Sequence, residues 1–161
     1  MPFSRRAQPS LALPRFLGPD QTDPKAFIRS FGADHKLWND YCLKWSEDNR
    51  QSGKNENLDG LSKLYAEFLR PFMPEGAQLQ AIAFGTDSTF DPDRIAFGKV
   101  EVVGSRIEQY FTVKYSFSNN RNFYYAMLEQ CDGNKFLLHQ IYGIDLDLEN
   151  HAGEDPFLPA L

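Results

Sequence analysis

Cysteine is scarce: Cys42 and Cys131 are the only two in 161 residues, and they stand far apart. Two such residues cannot build a disulfide scaffold, and both read as reduced and buried thiols, which fits the cytoplasm. Histidine is scarce too. His35, His139 and His151 show no ligand spacing with either cysteine, so no zinc site is expected. Positive charge is in deficit: the formal net charge of -5 removes the electrostatic case for nucleic acid as the main partner. A basic or amphipathic ligand surface is the better match. No apolar run approaches the roughly 20 residues that a membrane span needs, so no membrane association is expected. Arg5 and Arg6 precede QPSLALPRFL, which Pro9 and Pro14 interrupt, a poor export signal. No Ser/His/Asp order or nucleotide fingerprint is present, and FGTDSTF, with one glycine, is no phosphate loop. Repeats and low-complexity segments are also lacking.

What is present is apolar and aromatic. Apolar residues make up 42% and aromatics 14%, enough for a folded domain with its own core. Residues 1–22 read as a proline-rich arm, with Pro9, Pro14, Pro19 and Pro24 spaced by five. Residues 23–161 read as one domain. Asp23 and Pro24 suit a helix cap and the first helical position. Phe27, Ile28 and Phe31 line one face, and Gly32 reads as a stop. Asp34 then caps a second helix, whose stripe is Leu37, Trp38, Tyr41, Cys42 and Trp45. EDNRQSGKNEN reads as a polar linker. Asn57 caps a further helix carrying Leu58, Leu61, Leu64, Tyr65, Phe68, Leu69 and Phe72, ended by Pro71 and Pro74.

The period then changes. LQAIAF is short and strand-like; RIAFGKVEVV, IEQYFTVKYSF, NFYYAMLEQC and KFLLHQIYGID are longer strand candidates. Phe111, Val113, Tyr115 and Phe117 alternate with Tyr110, Thr112, Lys114 and Ser116, as a half-buried strand does. Turn residues at Gly104-Ser105, Ser118 to Arg121 and Asp132-Gly133-Asn134 predict a sequential antiparallel sheet. Phe123, Tyr125 and Met127 compete with Tyr124, Ala126 and Leu128 for the inner face. Both parities are apolar, which predicts central strands covered on both sides. Helices followed by such a meander make an α+β class, with the N-terminal helices packed into a curved antiparallel sheet.

Three stretches carry a family resemblance: Phe90-Asp91-Pro92-Asp93-Arg94 ahead of the sheet, Phe123 to Gln130, and Lys135 to Asp145 with Ile141-Tyr142 before an acidic tail. Over roughly residues 30–150 the chain resembles the nuclear transport factor two-like fold. Within that fold it is most similar to immunity proteins encoded beside bacterial polymorphic toxins, including the Rhs-linked group. It departs from that pattern at Phe136, where a tryptophan commonly opens the final strand. The resemblance implies a cone-shaped α+β fold, no enzyme activity, no cofactor, and stoichiometric neutralisation of a cognate toxin.

The acidic tail is read against that expectation. Asp145, Asp147 and Glu149 alternate, but a calcium loop counted from Asp145 would need glycine and glutamate where Asn150 and Pro156 stand. As a strand continuation they would share one side, a solvated edge unless a partner covers it. Asp145, Asp147, Glu149, Glu154 and Asp155 are the candidate partner-binding residues, suited to the basic patch of a toxin whose own substrate is anionic. The alternative is an isomerase or dehydratase of the same fold, with His139 as base and His35 beside Asp34 as a second choice. Adjacent helical residues diverge, so Asp34 and His35 would not form a dyad. A small-molecule binding module, with the aromatics lining a pocket, is the third reading.

Overall fold

Asp23 opens the first helix as expected: its carboxylate accepts from the N–H of Ala26 at 2.7 Å, and Pro24 takes the first helical position. The computed structural model describes residues 12–52, 59–77, 88–144 and 157–159. Helix α1 spans Pro24–Ser52 without a break and α2 spans Asp59–Leu69. A short 3-10 turn at Pro92–Arg94 leads into β1 (Ile95–Val103), β2 (Arg106–Lys114), β3 (Arg121–Cys131), β4 (Lys135–Ile144) and β5 (Phe157–Pro159). The five strands pair in chain order, all antiparallel.

Gly32 does not stop the helix, and Asp34 does not cap a second one. The buried stripe of α1 runs straight through: Phe27, Ile28, Phe31, Asp34, His35, Trp38, Asn39, Cys42 and Ser46 are all buried. A glycine mid-helix costs only about 1 kcal/mol, and here it has a packing reason. A methyl group on Gly32 would collide with the carbonyl oxygen of Phe90. Helix α1 and the segment entering β1 touch backbone to backbone at this point. Leu37, assigned to the stripe, is instead 37% exposed. The predicted polar linker is helical as far as Ser52. Asn57, Leu58 and LQAIAF lie outside the described residues.

The core lies between the helices and one face of the sheet. Phe27, Phe31, Phe68, Phe72 and Phe90 are fully or almost fully buried, each worth about 1.5–3 kcal/mol relative to exposure. Phe27 meets Phe136 of β4 at 6.0 Å between centroids, and Phe90 meets Tyr124 of β3 at 5.3 Å. The inner parity is therefore Phe111 and Val113 on β2, Tyr124, Ala126 and Leu128 on β3, and Phe136, Leu138 and Ile141 on β4. Strand β2 ends earlier than its alternation predicts. The hairpin closes at the Lys114–Arg121 pair, and Phe117 sits in the connection, 84% exposed.

Between Phe97 and Val100 the register of β1 shifts, and the Gln109 amide fills the irregularity, Nε2 donating to the carbonyls of Gly98, Lys99 and Tyr110. The edge of β4 not paired with β3 is protected by side-chain and loop oxygens. Phe136 N–H donates to Gln21 Oε1 at 2.6 Å and Leu138 N–H to the Phe72 carbonyl at 2.6 Å. Gln21 belongs to an extended segment, residues 12–22, that is pinned to α1. Leu17 and Gly18 N–H groups each donate to the Asp34 carboxylate at 2.8 Å, and Asp20 N–H donates to Ser30 Oγ at 2.9 Å. Both cysteines are free; Cys42 is buried as expected, whereas Cys131 is partly exposed. Among the described residues no helix is long and apolar enough to cross a membrane.

Candidate functional site

The inner face is packed ring against ring. His35 projects from α1 into this packing, 5.1 Å from Phe90, 5.7 Å from Trp38 and 5.9 Å from Phe68 between ring centroids. Its Nδ1 lies 2.8 Å from Ser88 Oγ. Burial drives its pKa down to about 4, because the aromatic surroundings cannot solvate the charged ring. Asp34, one residue earlier, points elsewhere, to the N–H groups of Leu17 and Gly18. Burial pushes its carboxyl above the ordinary range, and the two N–H bonds pull the other way. The two neighbours therefore share no proton path. A neutral imidazole sealed among aromatic rings serves packing; a base for an incoming substrate needs access.

The FDPDR stretch is the joint between helix and sheet. Asp91 Oδ1 accepts from Asp93 N–H at 3.0 Å, and its Oδ2 faces Lys36 Nζ at 3.2 Å and Arg94 Nε at 3.8 Å. Arg94 donates to the carbonyls of Ser88 at 2.6 Å and Lys114 at 3.2 Å. The aspartates and arginine here hold chain segments in place.

The other predicted histidine lies on the outer side of the sheet. In β4 the pairings Met127–Gln140 and Leu128–Leu138 leave His139 unpaired, as the extra residue of a bulge. The bulge brings His139 Nε2 to 2.6 Å from Glu129 Oε2 on β3, with the side chains 31% and 38% exposed. Cavities of about 580, 480, 250 and 170 Å³ are lined by other described residues. The histidine thus meets a carboxylate, but on a half-open sheet surface.

Beside it the same face carries a row that sequence reading missed. Tyr110, Tyr125 and Tyr142 sit at paired positions on β2, β3 and β4. Their rings are 5.3 and 5.0 Å apart between neighbours. Lys99 Nζ lies 4.6 Å over the Tyr110 ring and 2.9 Å from Glu101. Phe123 extends the patch, 41% exposed. The outer parity is thus only half covered, short of the fully covered faces that the sequence predicts, and the tyrosines shield one another. Alternation alone placed Tyr110 among polar outward residues. Only the register aligns it with Tyr125 and Tyr142. A rigid row of amphipathic rings is suited to contact with another macromolecule, because it buries large area at low entropic cost.

Asp145, Asp147, Glu149, Glu154 and Asp155 lie outside the described residues. Among the described residues no group of three or more His, Cys, Asp or Glu could hold a metal ion. Compared with known protein families, curated proteins and solved structures, the chain has no match.

Proposed function

We propose that this chain is an immunity-type protein with a nuclear transport factor two-like cone. It binds one cognate toxin in the bacterial cytoplasm and blocks it stoichiometrically. One observation carries the reading: the side of the sheet where a substrate pocket would lie is filled by aromatic rings around a single sealed histidine, while the opposite side presents the tyrosine row. In this reading the acidic tail from Asp145 to Asp155 guides a basic partner surface into place, and the rings of the outer face set how long it stays.

The decisive experiment uses the product of the coding sequence immediately upstream. Its expression alone should arrest growth. Co-expression with this chain should restore growth and yield a one-to-one complex. An upstream product that is harmless, or that does not bind, removes the proposal.

The contact between His139 and Glu129 favours a second reading, an isomerase or dehydratase, because a histidine oriented by a carboxylate is the arrangement of a general base. Turnover of small ketones or hydroxy compounds that disappears in His139→Gln would establish it in place of the first.

A further inference from the structure

Lys114 and Arg121 stand directly opposite each other where the β2–β3 hairpin closes. Like charges in that position repel. Arg94 lies against both: it donates to the Lys114 carbonyl at 3.2 Å, and its own carbonyl accepts from Arg121 Nη1 at 3.5 Å. Among the described residues neither Lys114 nor Arg121 has a carboxylate partner; Arg121 reaches only the carbonyl of Arg94 and the hydroxyl of Thr112, at 3.1 Å. Arg94 has Asp91 Oδ2 at 3.8 Å, but in a chain with 22 acidic and 17 basic residues, two further cations beside it with no carboxylate partner among the described residues are unexpected.

These cations line a hollow of about 580 Å³, together with Asp93, Ser118 and Asn119. A smaller hollow of about 170 Å³ adjoins it and shares Arg94, Lys114 and Phe117. Arg94 is preorganised by its bonds to the Ser88 and Lys114 carbonyls, so little freedom is lost when it meets a ligand. Among the described residues Asp93 is the one carboxylate in the lining, and even with Asp91 set against Arg94 the cations stay in excess. At the mouth, the exposed ring of Phe117 lies 5.6 Å from Tyr115, tilted by 33°, and forms an apolar shelf.

We infer that this hollow binds a small phosphomonoester. The phosphate sits among Lys114, Arg121 and Arg94, and the organic part lies over Phe117. A phosphomonoester carries nearly two negative charges at neutral pH and three acceptor oxygens, which relieves the Lys114–Arg121 repulsion and suits guanidinium forks. The volume falls within the range of small-ligand sites. None of Tyr110, Tyr125 and Tyr142 lines the site, and it does not depend on the toxin-neutralising reading.

Calorimetry at low ionic strength with adenosine 5′-monophosphate, inorganic phosphate and adenosine tests it. The monophosphate should bind about tenfold more tightly than phosphate, and adenosine should give no heat. Lys114→Ala combined with Arg121→Ala should weaken the monophosphate by at least about tenfold. Phe117→Ala should reduce it to the level of inorganic phosphate and leave phosphate unchanged. Without ligand, the double variant loses the Arg121 bonds to the Arg94 carbonyl and the Thr112 hydroxyl along with the like-charge pair, so it should still fold and melt close to the parent; if it unfolds, Lys114→Gln, which removes no side-chain bond among the described residues, carries the test. No binding by the parent chain, equal affinity for phosphate and monophosphate, or unchanged binding in the cation variants overturns the inference.

Discussion

At the scale of single residues, His35 converts packing into a pH response. The ring is neutral in the fold, with a pKa near 4 against 6.5 for a free side chain. Between those values the unfolded chain takes up a proton that the folded chain refuses, so stability rises with pH across the window and is lost as pH falls from 6.5 towards 4. The contribution is about 3 kcal/mol, taking 1.36 kcal/mol per pH unit. Urea unfolding at several pH values should show this slope in the parent and a flatter profile in His35→Gln. Identical profiles would mean that the imidazole is not sealed. Gly32 gives a second residue-scale test, paired with Gly60. Both are helical, and alanine favours a helix by about 1 kcal/mol. Nothing lies within 4 Å of a methyl group at Gly60, whereas at Gly32 it meets the Phe90 carbonyl. Gly60→Ala should raise the stability by about 0.5 kcal/mol. Gly32→Ala should lower it by about 2 kcal/mol or more, measured by thermal unfolding. A Gly32→Ala variant as stable as the parent would sink the close-contact account.

At the scale of elements, strands and turns were the most readable part. Three of the four long strands begin and end within a residue of where alternation and turn residues place them, and β2 stops at Lys114, three residues short. Gly104, with φ of 62°, opens the two-residue turn between β1 and β2, where a left-handed residue matches the twist of the strands. The helices were less readable, for a specific reason. Asp34, His35 and Asn39 are polar yet lie on the buried stripe of α1. A hydrophobicity pattern breaks at those positions, and Gly32 beside them looks like a terminator. Their burial is tolerated because distant groups receive them, the N–H groups of Leu17 and Gly18 for Asp34 and the Ser88 hydroxyl for His35. The protected edge of β4 is another element-scale feature. Gln21→Ala would leave the Phe136 N–H without its acceptor. The expected loss is about 1 kcal/mol, with faster amide exchange at Phe136 but not at Ala126, in the middle of β3. Equal exchange at Phe136 in both proteins would mean that Gln21 does not guard the edge.

At the scale of the whole molecule, the two sides of the sheet divide the work. One side is filled and stabilises the fold; the other carries the rings and the His139–Glu129 contact. The proposed partner reaction is a property of the total field, since attraction between an acidic tail and a basic surface acts before contact. Replacing Asp145, Asp147 and Asp155 by Asn, and Glu149 and Glu154 by Gln, should slow association with the upstream product about tenfold at low ionic strength. The difference should shrink at high salt, and the melting temperature should stay unchanged. Stopped-flow mixing at two salt concentrations measures this. An unchanged rate at low salt would exclude the tail from recognition even if the complex forms.

The amino-acid order alone determined the approximate course of the four long strands, the turns between them, and that helix α1 begins at Asp23-Pro24, because each depends on residues within a few positions of one another; β5 (Phe157–Pro159) carried no such signal. It also bounded the charge and excluded a disulfide scaffold. Tertiary structure decided which parity of β3 and β4 faces inward, that α1 passes through Gly32, that His35 is sealed while His139 meets Glu129, and that three tyrosines form one row. Those outcomes depend on register and on partners tens of residues away, which bring together groups that no local period can relate.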